Sequence, residues 1–168
     1  FNTCQSNCDG ECVFSEDENL IIKAEDFETY FPRIYPAMLK RKKAAKILYL
    51  DPFKFIIDNE ILNNLINVPS ADFICFMPSF YLKRFPDTPA FNKFVDTQQI
   101  DIKNAKAVHC HRLVASYYNS LIPDEKEYYI GCFSVKKDAG YFGLIFGSNH
   151  TFGAEKFQKV CWKFDEVT

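Results

Sequence analysis

Residues 46–55, KILYLDPFKF, restrict what this chain can fold into more than any other stretch. Ile47, Leu48, Tyr49 and Leu50 form an unbroken apolar run of strand length, which reads as a parallel strand buried on both faces. The run stops at Asp51-Pro52-Phe53. Pro52 has no N–H to give to a ladder, so Asp51 is expected at the strand's carboxyl end. In open α/β sheets that edge is where ligands bind. An acid beside an aromatic there marks Asp51, Pro52 and Phe53 as the candidate reactive group.

The surrounding chain alternates strand and helix. Residues 4–19 are polar and read as a surface loop, and 20–23, LIIK, as a short strand with Glu25-Asp26-Phe27 at its carboxyl end. A helix is expected from residue 26, passing into a broken basic connector because Pro32 and Pro36 interrupt it. Lys40-Arg41-Lys42-Lys43 then read as a solvated helix end that suits the helix dipole. After the central strand, Phe55, Ile56, Leu62, Leu65 and Ile66 fall at helical spacing, as in the crossover helix of a βαβ unit. Residues 72–79, DFICFMPS, are the next buried strand, stopped by Pro78. An irregular or short-helical insertion covers 80–102. Residues 103–121 read as a longer helix with Val108, Leu113, Tyr117 and Leu121 on its apolar side. Residues 128–135 and 141–147 flank a turn, Lys136-Lys137-Asp138-Ala139-Gly140, as a strand pair. A last helix packs Phe157, Val160, Cys161 and Phe164 inward. The expectation is a single α/β domain over residues 1–168: a partial Rossmann-like sheet, helices on both faces, and a C-terminal antiparallel strand pair.

Composition narrows the setting. A chain of 168 residues can bury roughly 70% of its unfolded surface, and 18 Phe with 9 Tyr suit a thick core. The net charge of −2 provides no basic field for generic nucleic-acid adhesion, although local basic patches stay open. No apolar run approaches the ~20 residues of a membrane span, and no signal peptide opens the chain. A cytoplasmic setting is therefore expected, where the Asn149-His150-Thr151 sequon carries no weight.

Seven cysteines are an odd number, so one thiol at least is left over. Cys75, Cys110, Cys132 and Cys161 lie in apolar segments and read as small buried hydrophobes. Cys4, Cys8 and Cys12 share CQSNCDGEC, whose spacing departs from that of radical enzymes and of most tetrahedral zinc sites. His109, Cys110 or His111 could complete a zinc site only if the fold brought them near, so no metal is expected and loop cysteines are the default. His109 and His111, two residues apart on a helix, face different directions, one to the surface and one towards the cleft. His150 reads either as a cap of the last helix, with Asn149 or Thr151, or as a catalytic group. Arg84 reads as a surface or phosphate-facing cation, and Trp162 as core.

Two stretches carry a resemblance. Asp51-Pro52-Phe53 after a hydrophobic strand, and LIFGSNHTFGAEKFQKVCW over residues 144–162, resemble the three-Cys-motif partner family, whose members read DPFG at the first place. Phe1-Asn2 is similar to that family's strand ending in FN followed by an acid. The resemblance runs the length of this chain and covers the later part of a family member. The family is similar to class I S-adenosylmethionine-dependent methyltransferases and accompanies a radical-enzyme-like partner protein in phage-associated neighbourhoods. It implies that Glu25, Asp26 and Phe27 contact the adenine of the cofactor. It further implies that Asp51 accepts a hydrogen bond from a target amino group while Phe53 stacks the base, which is catalysis by positioning.

Departures qualify that inheritance. None of the glycines at 10, 131, 140, 143, 147 and 153 forms the tight turn that lets backbone approach such a cofactor. Thr3 stands where the family has an acid, and Lys54 where it has glycine; the second proline of the amino-methyltransferase pattern is missing. The expectation is a sheet short of its first strand and glycine-rich loop, with exposed apolar edges, that binds S-adenosylmethionine only when the earlier part is present. Three functional readings follow. The first is a methyltransferase-like protein acting on a nucleic-acid amino group when complete. The second is a non-catalytic interaction module with a vestigial cleft, working with a partner protein, and the third a zinc-stabilised binding domain. Asp51-Pro52-Phe53 favours the first, and the missing glycine turn the second.

Overall fold

The computed structural model describes residues 11–12, 22–23, 25–51, 57–86 and 99–165. The chain falls into two compact units, Phe1–Pro36 and Ala37–Thr168.

In the first unit, β1 (Glu11–Cys12) pairs antiparallel with β2 (Ile22–Lys23), so part of the expected polar loop is a strand. The helix α1 (Phe27–Lys40) starts as the Asp26 carbonyl accepts from Thr29 N at 3.0 Å and Tyr30 N at 2.9 Å. Phe27, Phe31 and Tyr35 stack along one side, four residues apart, with ring centroids 5.2 and 5.9 Å apart. The helix does not break at Pro32 and Pro36. Both prolines are exposed and four residues apart, so the carbonyls that lose an N–H partner lie along one face that water can reach.

The second unit is built on a four-stranded mixed sheet of order β3-β4-β6-β5. Its strands are β3 (Lys46–Leu50), β4 (Ala71–Met77), β5 (Tyr129–Lys137) and β6 (Gly140–Ser148). β3 runs parallel to β4, with Leu50 opposite Cys75, and β6 runs antiparallel to both β4 and β5. Lys46 fixes the amino end of β3, because its ammonium donates to the carbonyls of Arg41, Ala44 and Pro69 at 2.7, 2.8 and 2.8 Å. The crossover from β3 to β4 contains α2 (Asn59–Asn67), where Asp58 accepts from Glu60 N at 2.7 Å as N-cap and Ile61, Leu62, Leu65 and Ile66 are buried. β5 and β6 meet through Asp138-Ala139, with Asp138 in the left-handed region at φ 54, a conformation Asp tolerates in tight hairpins.

The described residues of this unit form three more helices: α3 (Ser79–Arg84), α4 (Ala107–Ser120) and α5 (Thr151–Asp165). On one face of the sheet α4 packs over β5 and β6, with Phe73, Cys75, Met77 and Ile145 buried. The buried side of α4 is Cys110, His111, Val114, Ala115, Tyr117 and Tyr118; of the expected stripe Tyr117 is buried, whereas Val108, Leu113 and Leu121 are half-buried. Its polar members have partners: the fully buried Tyr118 hydroxyl donates to Ile57 O at 3.1 Å and accepts from Ile57 N at 2.8 Å. On the other face Phe157 of α5 stacks on Phe146 at 4.7 Å. Cys161 is half-buried, whereas Val160 and Phe164 are exposed, although Phe164 meets Phe133 edge-on at 6.2 Å.

Helices thus cover both faces, but unevenly. Among the described residues no strand lies beyond β3, and Ile47 and Tyr49 are 72% and 67% exposed. The central run is therefore an edge strand buried on one face, not on two. Its unbroken apolar character hid the alternation that burial imposes.

Candidate functional site

Asp51 directly follows β3 at its carboxyl end and is exposed. Its neighbour across the sheet is Phe76 of β4, since Leu50 pairs with Cys75, and α3 begins three residues further on at Ser79. Burial, and then the nearby Asp51 charge, push the Cys75 thiol up to about 12, so Cys75 stays protonated and inert. Pro52, Phe53 and Lys54 lie outside the described residues, as do Cys4 and Cys8. Glu25, Asp26 and Phe27 belong to the first unit and Asp51 to the second. Glu25 is exposed and pairs with Arg33; Asp26 starts α1 through its carbonyl; Phe27 is half-buried against Phe31.

At the same carboxyl edge lies a buried polar group that sequence reading only half identified. His111 is fully buried; its Nδ1 lies 2.7 Å from the Ser79 hydroxyl and its Nε2 2.8 Å from the Ser134 hydroxyl. A neutral imidazole satisfies both, donating from one nitrogen and accepting at the other. Burial, with the charges of Arg112 and His109, pushes its pKa down to about 4. Arg112 reaches Ser134 Oγ at 3.5 Å. Ser79 is itself fully buried, so this is a lock between α3, α4 and β5 and not an exposed nucleophile. His109 is exposed, as one of the pair was expected to be.

A chain of aromatic rings starts beside Asp51. Phe76 of β4 stacks on Phe142 of β6 at 5.3 Å, and Phe142 meets Phe80 of α3 edge-on at 5.5 Å. Phe80 contacts Tyr81 at 5.9 Å, and Tyr81 contacts Phe85 at 4.8 Å. The Arg84 guanidinium lies over the Phe85 ring at 5.4 Å. The signal for this cluster was in the sequence, where aromatic and basic residues interleave in FYLKRF, residues 80–85, but the contribution of Phe142 needed the fold.

The remaining candidates have structural partners. His150 caps α5: its Nδ1 accepts from Phe152 N at 3.0 Å and its carbonyl accepts from Gly153 N at 3.0 Å. Trp162 is exposed, not core. It lines a cavity of about 300 Å³ between α5 and β5 with Gly131, Cys132, Phe133, Phe157, Gln158 and Cys161. That cavity lies at the opposite edge of the sheet from Asp51, and burial pushes both of its thiols up. Among the described residues no group of three or more His, Cys, Asp or Glu is placed to hold a metal ion, and no helix is long and apolar enough to cross a membrane.

Comparison of the chain with protein-family models, with curated proteins and with solved structures finds no match in any of the three.

Proposed function

We propose that this chain is a methyltransferase-like protein in which Asp51 orients a nucleic-acid amino group towards the methyl of S-adenosylmethionine, and that it binds this cofactor only once structure is added at β3. The observation that carries the reading is the exposed Asp51 at the carboxyl tip of a parallel strand, in a sheet whose last strand runs antiparallel between its two neighbours. Sheets of class I methyltransferases end in that manner. A carboxylate at such a tip accepts an N–H from the amino group and turns the nitrogen lone pair towards the methyl carbon, so the chemistry asked of the protein is positioning. The side of β3 that has no strand partner among the described residues, with Ile47 and Tyr49 exposed, is where a first strand would pair and bring its glycine-rich turn to the cofactor. A cytoplasmic setting and a radical-enzyme-like partner belong to the same reading.

The test is titration calorimetry with S-adenosylmethionine, on this chain and on a form carrying any coding sequence upstream of Phe1. Binding by the extended form alone is the expected result. Methyl transfer to oligonucleotides by that form should then fall at least about 100-fold in Asp51→Asn, within the range lost when a proton acceptor is removed.

A second reading is favoured by the exposed β3 itself. A strand with no further strand partner among the described residues and two large exposed apolar side chains suits strand addition by a partner protein. No cofactor binding by either form would sink the methyltransferase reading and leave this interaction module.

A further inference from the structure

We infer that the ring chain Phe76–Phe142–Phe80–Tyr81–Phe85 is a stacking track for single-stranded nucleic acid, leading a strand to Asp51. It deepens the methyltransferase-like reading, and rests on it for the destination of the strand. The binding itself stands on separate observations.

The first observation is exposure without isolation. Phe80, Tyr81 and Phe85 are 38%, 40% and 39% exposed, yet each is held by ring contacts of 4.8 to 5.9 Å. Rings fixed in this manner offer faces at little further loss of rotamer freedom, and every base has a face to stack on one. Tyr49 adds a ring on the same face of the sheet, since it pairs with Ile74, two residues before Phe76. The second observation is where the charge sits. Lys83 and Arg84 are on α3 itself, and α3 packs against α4. Lys103, Lys106 and Arg112 lie just before and within the start of α4. Among the described residues from 79 to 120, the one acid is Asp101, whose carboxyl is engaged by Asn104 at 2.8 and 3.1 Å. In a chain of net charge −2, residues 79–120 carry six Lys and Arg against the three acids Asp87, Asp96 and Asp101, and Lys83 and Arg84 sit on the helix that bears the exposed rings. Stacking faces interleaved with phosphate-seeking cations match an unpaired strand, whereas a duplex hides its base faces. The third observation is continuity: Phe76, the inner end of the track, follows Cys75, whose partner Leu50 precedes Asp51. A base passed inward would arrive at that carboxylate.

Fluorescence anisotropy with labelled DNA and RNA oligomers of about 12 nucleotides, single-stranded and as duplexes, tests the track without any cofactor. Single strands should bind at about 50 mM salt and weaken at about 200 mM; binding of DNA alone, RNA alone or both supports the track and identifies the polymer. Tyr81→Ala and Phe85→Ala should each weaken binding about 10-fold, the loss of one stacked base, while Tyr81→Phe keeps wild-type affinity. Arg84→Gln, which leaves the ring packing in place, should reduce the slope of log affinity against log salt by about 0.7. Thermal melts of each variant exclude unfolding as the cause. Absence of single-strand binding at about 50 mM salt overturns the inference, as does equal binding of duplex, or wild-type affinity in both alanine variants. Cofactor binding without strand binding would overturn the track alone. Strand binding with no cofactor binding by either this chain or its extended form would keep the track and reject the methyltransferase-like reading.

Discussion

A single buried imidazole ties three elements of the second unit together. His111 joins Ser79 at the start of α3 to Ser134 on β5, and burial holds it neutral with a pKa of about 4. An unfolded chain protonates the same ring near its ordinary value of about 6.5. The unfolded state therefore takes up the proton first. The His111 contribution is intact above about pH 6.5, is lost progressively as pH falls towards about 4, and changes no further below that, for a total of at most roughly 3 kcal/mol. Urea titrations across this window should show wild type losing more stability on acidification than His111→Asn, which has no imidazole to protonate. Parallel curves for the two proteins would refute the assignment. The sequence located His109 and His111 on one helix and predicted that they face apart. Which one goes inward depends on two serines 32 and 23 positions away, and no local pattern records them.

At the scale of elements, β6 decides how the sheet and α4 meet. Gly143 faces the helix so closely that a Cβ there would come 2.3 Å from His111 Cβ and 2.4 Å from its Cγ. The nearest of these atoms is anchored to the helix backbone and cannot swing aside. Gly143→Ala should therefore destabilise by about 2–3 kcal/mol through overpacking, measurable by denaturant unfolding, whereas Gly131→Ala, whose Cβ would sit 3.6 Å from the Phe157 ring, should stay within about 1 kcal/mol. Strand and helix identities were legible because period and stop signals are local: Pro78 follows the last residue of β4, and the spacing of Leu62, Leu65 and Ile66 marks α2. Faces were less legible. Val160 and Phe164 sit at inward-looking spacing in sequence yet are exposed, because α5 lies over only part of the sheet.

For the molecule as a whole, the consequential feature is the incomplete cover of the sheet at β3. Two large apolar side chains and an edge free of any described strand partner favour edge-to-edge association. Sedimentation velocity should show wild type associating as concentration rises, and the Ile47→Lys, Tyr49→Lys protein remaining monomeric with stability changed by less than about 0.5 kcal/mol. Equal association by both proteins would mean that β3 is not the contact. The same edge bears on function, since either reading proposed above needs a strand to add there.

By itself, the sequence determined the order of strands and helices around β3 and the position of Asp51 at that strand's carboxyl end, and it offered His150 as a cap without deciding it. Each follows from signals within a few residues: apolar run length, proline stops, side-chain caps. Only the tertiary structure decided that β3 is an edge, that β6 lies between β4 and β5, that His111 is locked between two serines, and that Phe142 joins the rings of α3. Those facts concern partners far apart in the chain. Burial and pairing are properties of the assembled sheet, and an apolar residue reads the same in sequence whether it faces a helix or water.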